Sequence, residues 1–441
     1  MKTVKELIEL SEQIVDYARK KGAKEAQVIT SDSKNFSVAV LEGEIEELKQ
    51  AGSTSMSIQV IIDNKTASCS SSDLKKETLF KLVDGAILRC KLSGEDPFNS
   101  LAKLMPIKTD INTLKLYDPE VLSIPPEKKV ALAKEIEKIA LSAKGIRQSS
   151  GSSFGTYIGT YMIVNSNGFS SAFDTTSCSL GIWLQAGEGD HFFEDGWSDS
   201  NRFFAKLDDP EKIANIAVDR VTRLVGARKV KTQKVPVILE PNMTSRILGF
   251  LAQCVSGRSI YMKQSFLADM HGQKIAGDNI NIIDNGLMPG LLGTRPFDSD
   301  AVPTQRTPVV ENGFLKNYLL DVYAARKLNM EPTGNASGAT NFYLEAGQHS
   351  PENIIKSVDK GLLLTKTIGQ GTVATTGDIS TGAFGLWIEN GVPAYPVAEI
   401  TISSNLGNLL KDVEMIGNDL DFRRSVSGPT IKVGEMTISG V

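Results

Sequence analysis

Val4, Leu7, Ile8, Ile14, Val15 and Ala18 recur at helical spacing and mark an amphipathic first helix, closed by Gly22. Short β-rich runs follow at 25–30, 35–41, 44–50, 54–62 and 65–70. Glu42-Gly43 and Asp63-Asn64 sit between runs as tight turns. Leu74, Leu79, Leu82, Val83, Ala86 and Ile87 then predict a helix over about 74–92. Helix, strands, helix is the order of an α+β layer, in which helices cover one face of an antiparallel sheet.

Residues 93–125 are poor in pattern and read as a meandering connection. Pro125-Pro126 precedes a strong helix, EKKVALAKEIEKIALSA, with proline at its start. Strands at 154–165 and 169–187 follow a Ser/Gly-rich stretch, and a helix over 209–226 begins after Asp208-Asp209-Pro210. At 228–234 the chain reads RKVKTQK, a charged linker that divides an N-terminal α+β domain (1–230) from a C-terminal domain (231–441). The second part is strand-rich, at 235–240, 307–311, 314–320, 362–366, 371–377, 383–389, 397–402 and 430–438. Short helices near 243–255, 321–328 and 405–410 interrupt it, so a largely antiparallel β domain is expected.

Composition narrows the function classes. The chain has 441 residues, 41% of them apolar and 23% charged, which fits packed globular domains and exceeds one ordinary core. A net charge of -4 lacks the basic excess that tracking phosphates requires, so direct nucleic-acid binding is not expected. No apolar run is long enough to span a membrane, and the charged N-terminus lacks a secretory pattern, so a cytoplasmic protein is expected. Cys69, Cys90, Cys178 and Cys254 form no CxxC pair and read as core thiols of a reducing compartment.

Candidate chemistry is sparse. Gly151-Ser152-Ser153-Phe154-Gly155 matches G-x-S-x-G, but the elbow needs a strand before and a helix after, and the predicted order is reversed. A Ser-rich linker is the reading there. His191, His271 and His349 lie too far apart in sequence for a local histidine zinc site. Glu188, Asp190, His191, Glu194, Asp195 and Asp199 form the densest acidic cluster; it matches no calcium loop and reads as a solvated hairpin tip. Gly369-Gln370-Gly371 does not complete a phosphate loop.

Several blocks nevertheless resemble the TldD/PmbA (TldE) family, known also as modulators of DNA gyrase. They are GDISTGAFGLWIENGVPAYPVAEITISSNLGNLL from Gly377, VPTQRT from Val302 continuing through VVENGFLKNYLLDVYAARKLN, and Gly417-Asn418-Asp419-Leu420. EGEIEELKQAGSTSMSIQV in the first half is similar more weakly. The resemblance implies a heteromeric peptidase whose TldD-like subunit binds zinc through His-Glu-x-x-x-His on a helix and a cysteine near the C-terminus. The matching helix here reads TSRILGFLAQCVSG, with Gly249 at the first histidine, Phe250 at the glutamate and Cys254 at the second histidine. Glycine and phenylalanine offer a metal no lone pair and a water no base, and the C-terminal segment has no cysteine.

The resemblance therefore implies a TldE/PmbA-like subunit with no catalytic or metal residue of its own and zinc only in a TldD-like partner. Hydrolysis by the chain alone is not expected. Implied substrates are small or unfolded peptides, as in maturation of modified precursors such as microcins and removal of unstructured antitoxins. The gyrase label does not require DNA contact. A peptide could add to an edge strand of the C-terminal domain, beside the Gly-rich stretches 334–338 and 369–377. Two alternatives stay open: a self-sufficient hydrolase using Cys254 or the 188–199 cluster, and a homodimeric peptide-binding module.

Overall fold

The computed structural model describes residues 3–189, 191–369 and 371–440. Its first half runs α1 (Val4–Lys20), β1 (Glu25–Leu41), β2 (Glu44–Ile62), β3 (Lys65–Ser71), α2 (Lys76–Leu92), α3 (Pro119–Ser123), α4 (Pro126–Leu141), β4 (Ile146–Asn165), β5 (Ser170–Glu188), β6 (His191–Asn201) and α5 (Pro210–Thr222). The strands form one antiparallel sheet in the order β3-β2-β1-β4-β5-β6. Thr3 and Glu6 cap α1 reciprocally, and Gly22 leaves the helix at a φ of 102°. Both predicted turns are present: Glu42 and Gly43, then Asp63 and Asn64, all take positive φ, as a two-residue hairpin requires.

The sheet departs from expectation in strand length. The runs 25–30 and 35–41 are one strand, as are 44–50 and 54–62. β1, β2, β4 and β5 have 17, 19, 20 and 19 residues, hence span about 60 Å. That length carries two cores side by side. α1 and α2 close one with Ile14, Val28, Ile58 and Val83; α4 and α5 close the other with Val38, Phe154, Leu180 and Ala217. The polar stretch Ser31–Asn35 of β1 lies outside both clusters, which is why alternation fails there although pairing continues. The Ser/Gly-rich residues 148–153 are likewise part of β4 and not a linker.

The second half runs β7 (Gln233–Leu239), α6 (Pro241–Cys254), α7 (Gly257–Tyr261), β8 (Ile282–Asn285), β9 (Arg306–Glu311), β10 (Phe314–Leu315), α8 (Val322–Leu328), β11 (Phe342–Leu344), α9 (Pro351–Lys356), β12 (Lys360–Ile368), β13 (Thr372–Val373), β14 (Asp378–Glu389), β15 (Val392–Asn405), α10 (Leu406–Lys411), β16 (Val413–Ile416), β17 (Val426–Ser427) and β18 (Ile431–Ser439). β12, β7, β18, β15 and β14 pair in turn, and β14 pairs back onto β12, closing a ring of five strands. Its core takes Val237, Leu239, Leu362, Ile402 and Ile431, together with Leu248, Leu251 and Cys254 of α6. Ile238, Leu363 and Ile388 point to the opposite side, against Ile354 and Val358. Burial on both faces explains the unbroken apolar runs 235–239 and 361–364.

The class is α+β, as the pattern predicts, and the second half is mainly antiparallel; β7 with β12 and β11 with β17 are parallel pairs. The strands expected at 314–320 and 371–377 shrink to two residues each, because the chain there turns into loops. Among the described residues, no helix is long and apolar enough to cross a membrane.

The halves are locked by Arg202, which is 5% exposed. Its Nε donates to the Leu291 carbonyl at 2.7 Å and one Nη to those of Leu292 and Thr294 at 2.9 and 2.7 Å, while the other Nη donates to Leu116 and Thr175. Burial without a carboxylate partner lowers its pKa to about 10. Arg202→Ala removes the donor of the Leu292 and Thr294 carbonyls, while those of Leu291 and Leu116 keep the Thr294 and Thr176 N–H groups, so we expect a loss of about 3 kcal/mol in urea unfolding, with Arg202→Lys recovering only part.

Asp300 accepts from the Val322 N–H at 2.9 Å, and burial, reinforced by Asp298, raises its pKa to about 6. This value lies above the ordinary 3.8, so between these pH values the folded chain holds a proton that the unfolded chain has released. Stability therefore falls as pH rises through that window. Asp300→Asn, which keeps an acceptor for Val322, is expected to flatten the slope of unfolding free energy against pH between about 4 and 6.

Candidate functional site

The helix singled out by sequence, α6, starts at Pro241, whose missing N–H costs nothing at that position. Glu240 precedes it, and its carboxylate is clasped by Arg223 of the α5 C-terminus at 2.8 and 2.9 Å and approached by Arg220 at 3.5 Å. α5 thus orients α6. Ser245 and Arg246 lie three and four residues after Asn242, and Gly249 lies four and three after them, so the four share one side of the helix. Leu248, Phe250, Leu251 and Cys254 belong to the core.

The zinc-motif positions of the family do not fit a metal in this chain. Gly249 has no donor, although a Cβ there would meet nothing within 4 Å. Phe250 is packed in the core at 6% exposure, and Cys254 is fully buried among apolar neighbours. Burial pushes the Cys254 thiol up to about 12, so the thiolate that binds metals or attacks carbonyls is not available near neutral pH.

The other sequence candidates are not brought together. His191, His271 and His349 are all exposed and sit on separate segments. Among the described residues, no group of three or more His, Cys, Asp or Glu side chains is placed to hold a metal ion. The acidic cluster is only partly a solvated hairpin tip. Glu188, His191 and Glu194 are exposed, but Asp195 and Asp199 are 4% exposed. Asp195 binds Arg220 at 3.0 Å, and Asp199 accepts from the Asp208 N–H at 2.9 Å. Strand alternation turns Glu194 away from Asp195 and Asp199, while His191, which has their parity, is exposed as the first residue of β6. Asp190 lies outside the described residues, as does Gln370 of the 369–371 stretch. Ser152 and Ser153 lie within β4, with the Ser152 hydroxyl bound to the Ala133 carbonyl at 2.7 Å, so no elbow exists.

Beside α6 the structure opens a groove of about 490 Å³ that sequence reading did not find. Trp183 of β5 and Gly196–Ser198 of the edge strand β6 form one wall; Asn242, Met243, Ser245 and Arg246 form another; Thr365–Thr367 of β12 and Arg424–Val426 complete it. Arg220 lines it while holding Asp195, Glu240 and the Thr365 carbonyl. These residues come from six separate stretches and form no local motif.

Comparison with known proteins places the chain in a metallopeptidase-like class. Family models of PmbA/TldA metallopeptidases match in order: domain 1 over residues 26–89, the central domain over 119–225 and the C-terminal domain over 232–440. The chain is 33% identical to Metalloprotease PmbA of Escherichia coli O157:H7 over 417 residues, 94% of this chain and 92% of that one. A Metalloprotease PmbA homolog of Haemophilus influenzae is 32% identical over 97% of this chain and 94% of its own length. This chain belongs to the PmbA/TldD family. Among solved structures, a Bacteroides thetaiotaomicron protein named as a candidate modulator of DNA gyrase superposes with a TM-score of 0.93 at 29% identity, covering all of both chains. TldE from Thermococcus kodakarensis shares the fold, with a TM-score of 0.88 at 22% identity over 98% of this chain and all of that one.

Restoring the motif one residue at a time separates open positions from core. Gly249→His is expected to fold with unchanged or slightly raised stability, since the space is open and glycine weakens a helix. Phe250→Glu places an unpaired carboxylate in the core and is expected to cost about 3 kcal/mol or more. Chemical denaturation of the two variants checks the contrast.

Proposed function

We propose that this chain is the TldE/PmbA-type subunit of a heteromeric zinc peptidase, pairing in the cytoplasm with a TldD-like subunit to act on small or unfolded peptides. The observation that carries this reading is the identity and placement of Gly249, Phe250 and Cys254, which give the α6 helix an open position and core packing where a zinc site needs three polar groups. The names of the curated relatives support peptide hydrolysis as the activity of the assembly. On this reading metal and base come from the other subunit, and this chain supplies walls of the cavity in which substrate is held.

A second reading, in which this chain itself binds zinc, draws on the same names, since they call the relatives metalloproteases. The decisive experiment is elemental analysis of the purified chain after dialysis against zinc, together with affinity capture from the native host. Near-zero zinc and recovery of a TldD-like chain are the expected results. About one tightly held zinc per chain, or capture of only a second copy, would overturn the reading.

A further inference from the structure

The groove beside α6 has a charge character opposite to that of the whole chain. Four cations, Arg220, Arg246, Lys366 and Arg424, line it with one carboxylate, Asp195, which Arg220 already holds at 3.0 Å. The formal net charge of the protein is -4. Among the described residues Arg246, Lys366 and Arg424 form no ion pair. Arg246 and Lys366 are instead steadied by the carbonyls of Gly369 and Glu194, which position them and leave their charge uncompensated. Like charges gathered in a concave, partly dry site raise the potential that an anion meets there.

Two further observations point to a ligand. Arg220 is 8% exposed, and its Nε–H has no hydrogen-bond partner; the indole N–H of Trp197, also in the lining, has none. Buried donors left unpaired next to a cavity mark places where an acceptor belongs. Backbone supplies the second. β12 pairs with β14 as far as Ile368, but with β7 only as far as Leu364. Beyond Leu364 one edge of β12 is therefore open, and Thr365–Thr367 line the groove. An extended peptide can add to such an edge through its main chain.

We propose that this groove binds a carboxylate of an extended peptide, with the peptide backbone along the open edge of β12 and the negative charge between Arg246, Lys366 and Arg424. Trp183, 53% exposed at the groove wall, offers a flat apolar surface for the adjoining residue. The carboxylate is the shared chemistry of a free peptide C-terminus and an acidic side chain. The inference takes from the proposed function only that the ligand is a peptide.

Three acetylated glycine-alanine hexapeptides test it on the full-length chain by calorimetry and tryptophan fluorescence. One ends in a free carboxylate, one in an amide, and one in an amide with glutamate replacing the last alanine. Binding of the first but not the second is expected, and the third reports whether a side-chain carboxylate serves equally. Arg246→Gln and Arg424→Gln, both on exposed residues, are each expected to weaken carboxylate binding about tenfold and to reduce its salt dependence. Arg246→Lys should recover part of the loss. Unfolding curves matching the parent chain show that the variants are folded. Equal binding of acid and amide peptides, no binding at millimolar concentration, or folded variants that bind like the parent would each overturn the inference. The readout is independent of metal content and partner capture, so failure here leaves the proposed pairing standing, and failure to find a partner leaves this result standing.

Discussion

Arg220 and Arg223, on the last turns of α5, are the joint on which the architecture turns. They bridge Asp195 on the sheet edge and Glu240 at the head of α6, and Arg220 also reaches the Thr365 carbonyl of β12. All four charged side chains are at most one-fifth exposed. At that depth their attraction is offset by lost hydration, so the network adds little net stability. What it gives is geometry. A guanidinium fork bound to a carboxylate in two parallel contacts fixes direction as well as distance, as Arg223 does with Glu240. The groove has its shape because sheet edge, helix and strand are referred to the same pair of side chains.

Arg202 does a related task by another route. It brings a charge into the boundary between the halves with carbonyl dipoles in place of a counter-ion. Its neighbours lie on a loop, 291–294, that has no strand ladder to hold it. Backbone oxygens there need donors, and one guanidinium serves several at once. The two arginine sites therefore divide the work: one fastens a loop to the first sheet, the other sets the angle of α6.

The sequence was most readable where one core imposes one period. α1 shows this, with its stripe from Leu7 to Ala18 and its Thr3–Glu6 cap, and so do the two turns with paired positive φ. Reading failed where a long strand crosses from one core to the next, as at Ser31–Asn35, because that stretch belongs to neither cluster and alternation has no cause. β8, β11, β16 and β17, of two to four residues, are too short to carry a period at all. The acidic cluster misled for a similar reason: composition marks it as solvated, while the pleat turns Asp195 and Asp199 inward onto Arg220 and Asp208. The groove was invisible because Trp183, Arg220, Arg246, Lys366 and Arg424 meet only through tertiary structure. Taken singly, an arginine or lysine in any of these segments reads as an ordinary surface residue.

The α6 helix shows why its motif positions cannot serve both a metal and the core. A zinc site needs polar groups whose outer atoms are themselves hydrogen-bonded. Phe250 and Cys254 instead sit among Leu251, Val255 and Ile260, where few polar atoms are at hand to steady a carboxylate or an imidazole. Burying phenylalanine there stabilises by roughly 2 kcal/mol relative to exposure, whereas a carboxylate in the same place is penalised. Packing and metal binding therefore compete for the same side of one helix, and in this chain packing holds it. Gly249 is the exception, open and unfilled on the side shared with Arg246. The face of α6 that remains chemically available is consequently cationic, suited to holding an anion and not to activating water.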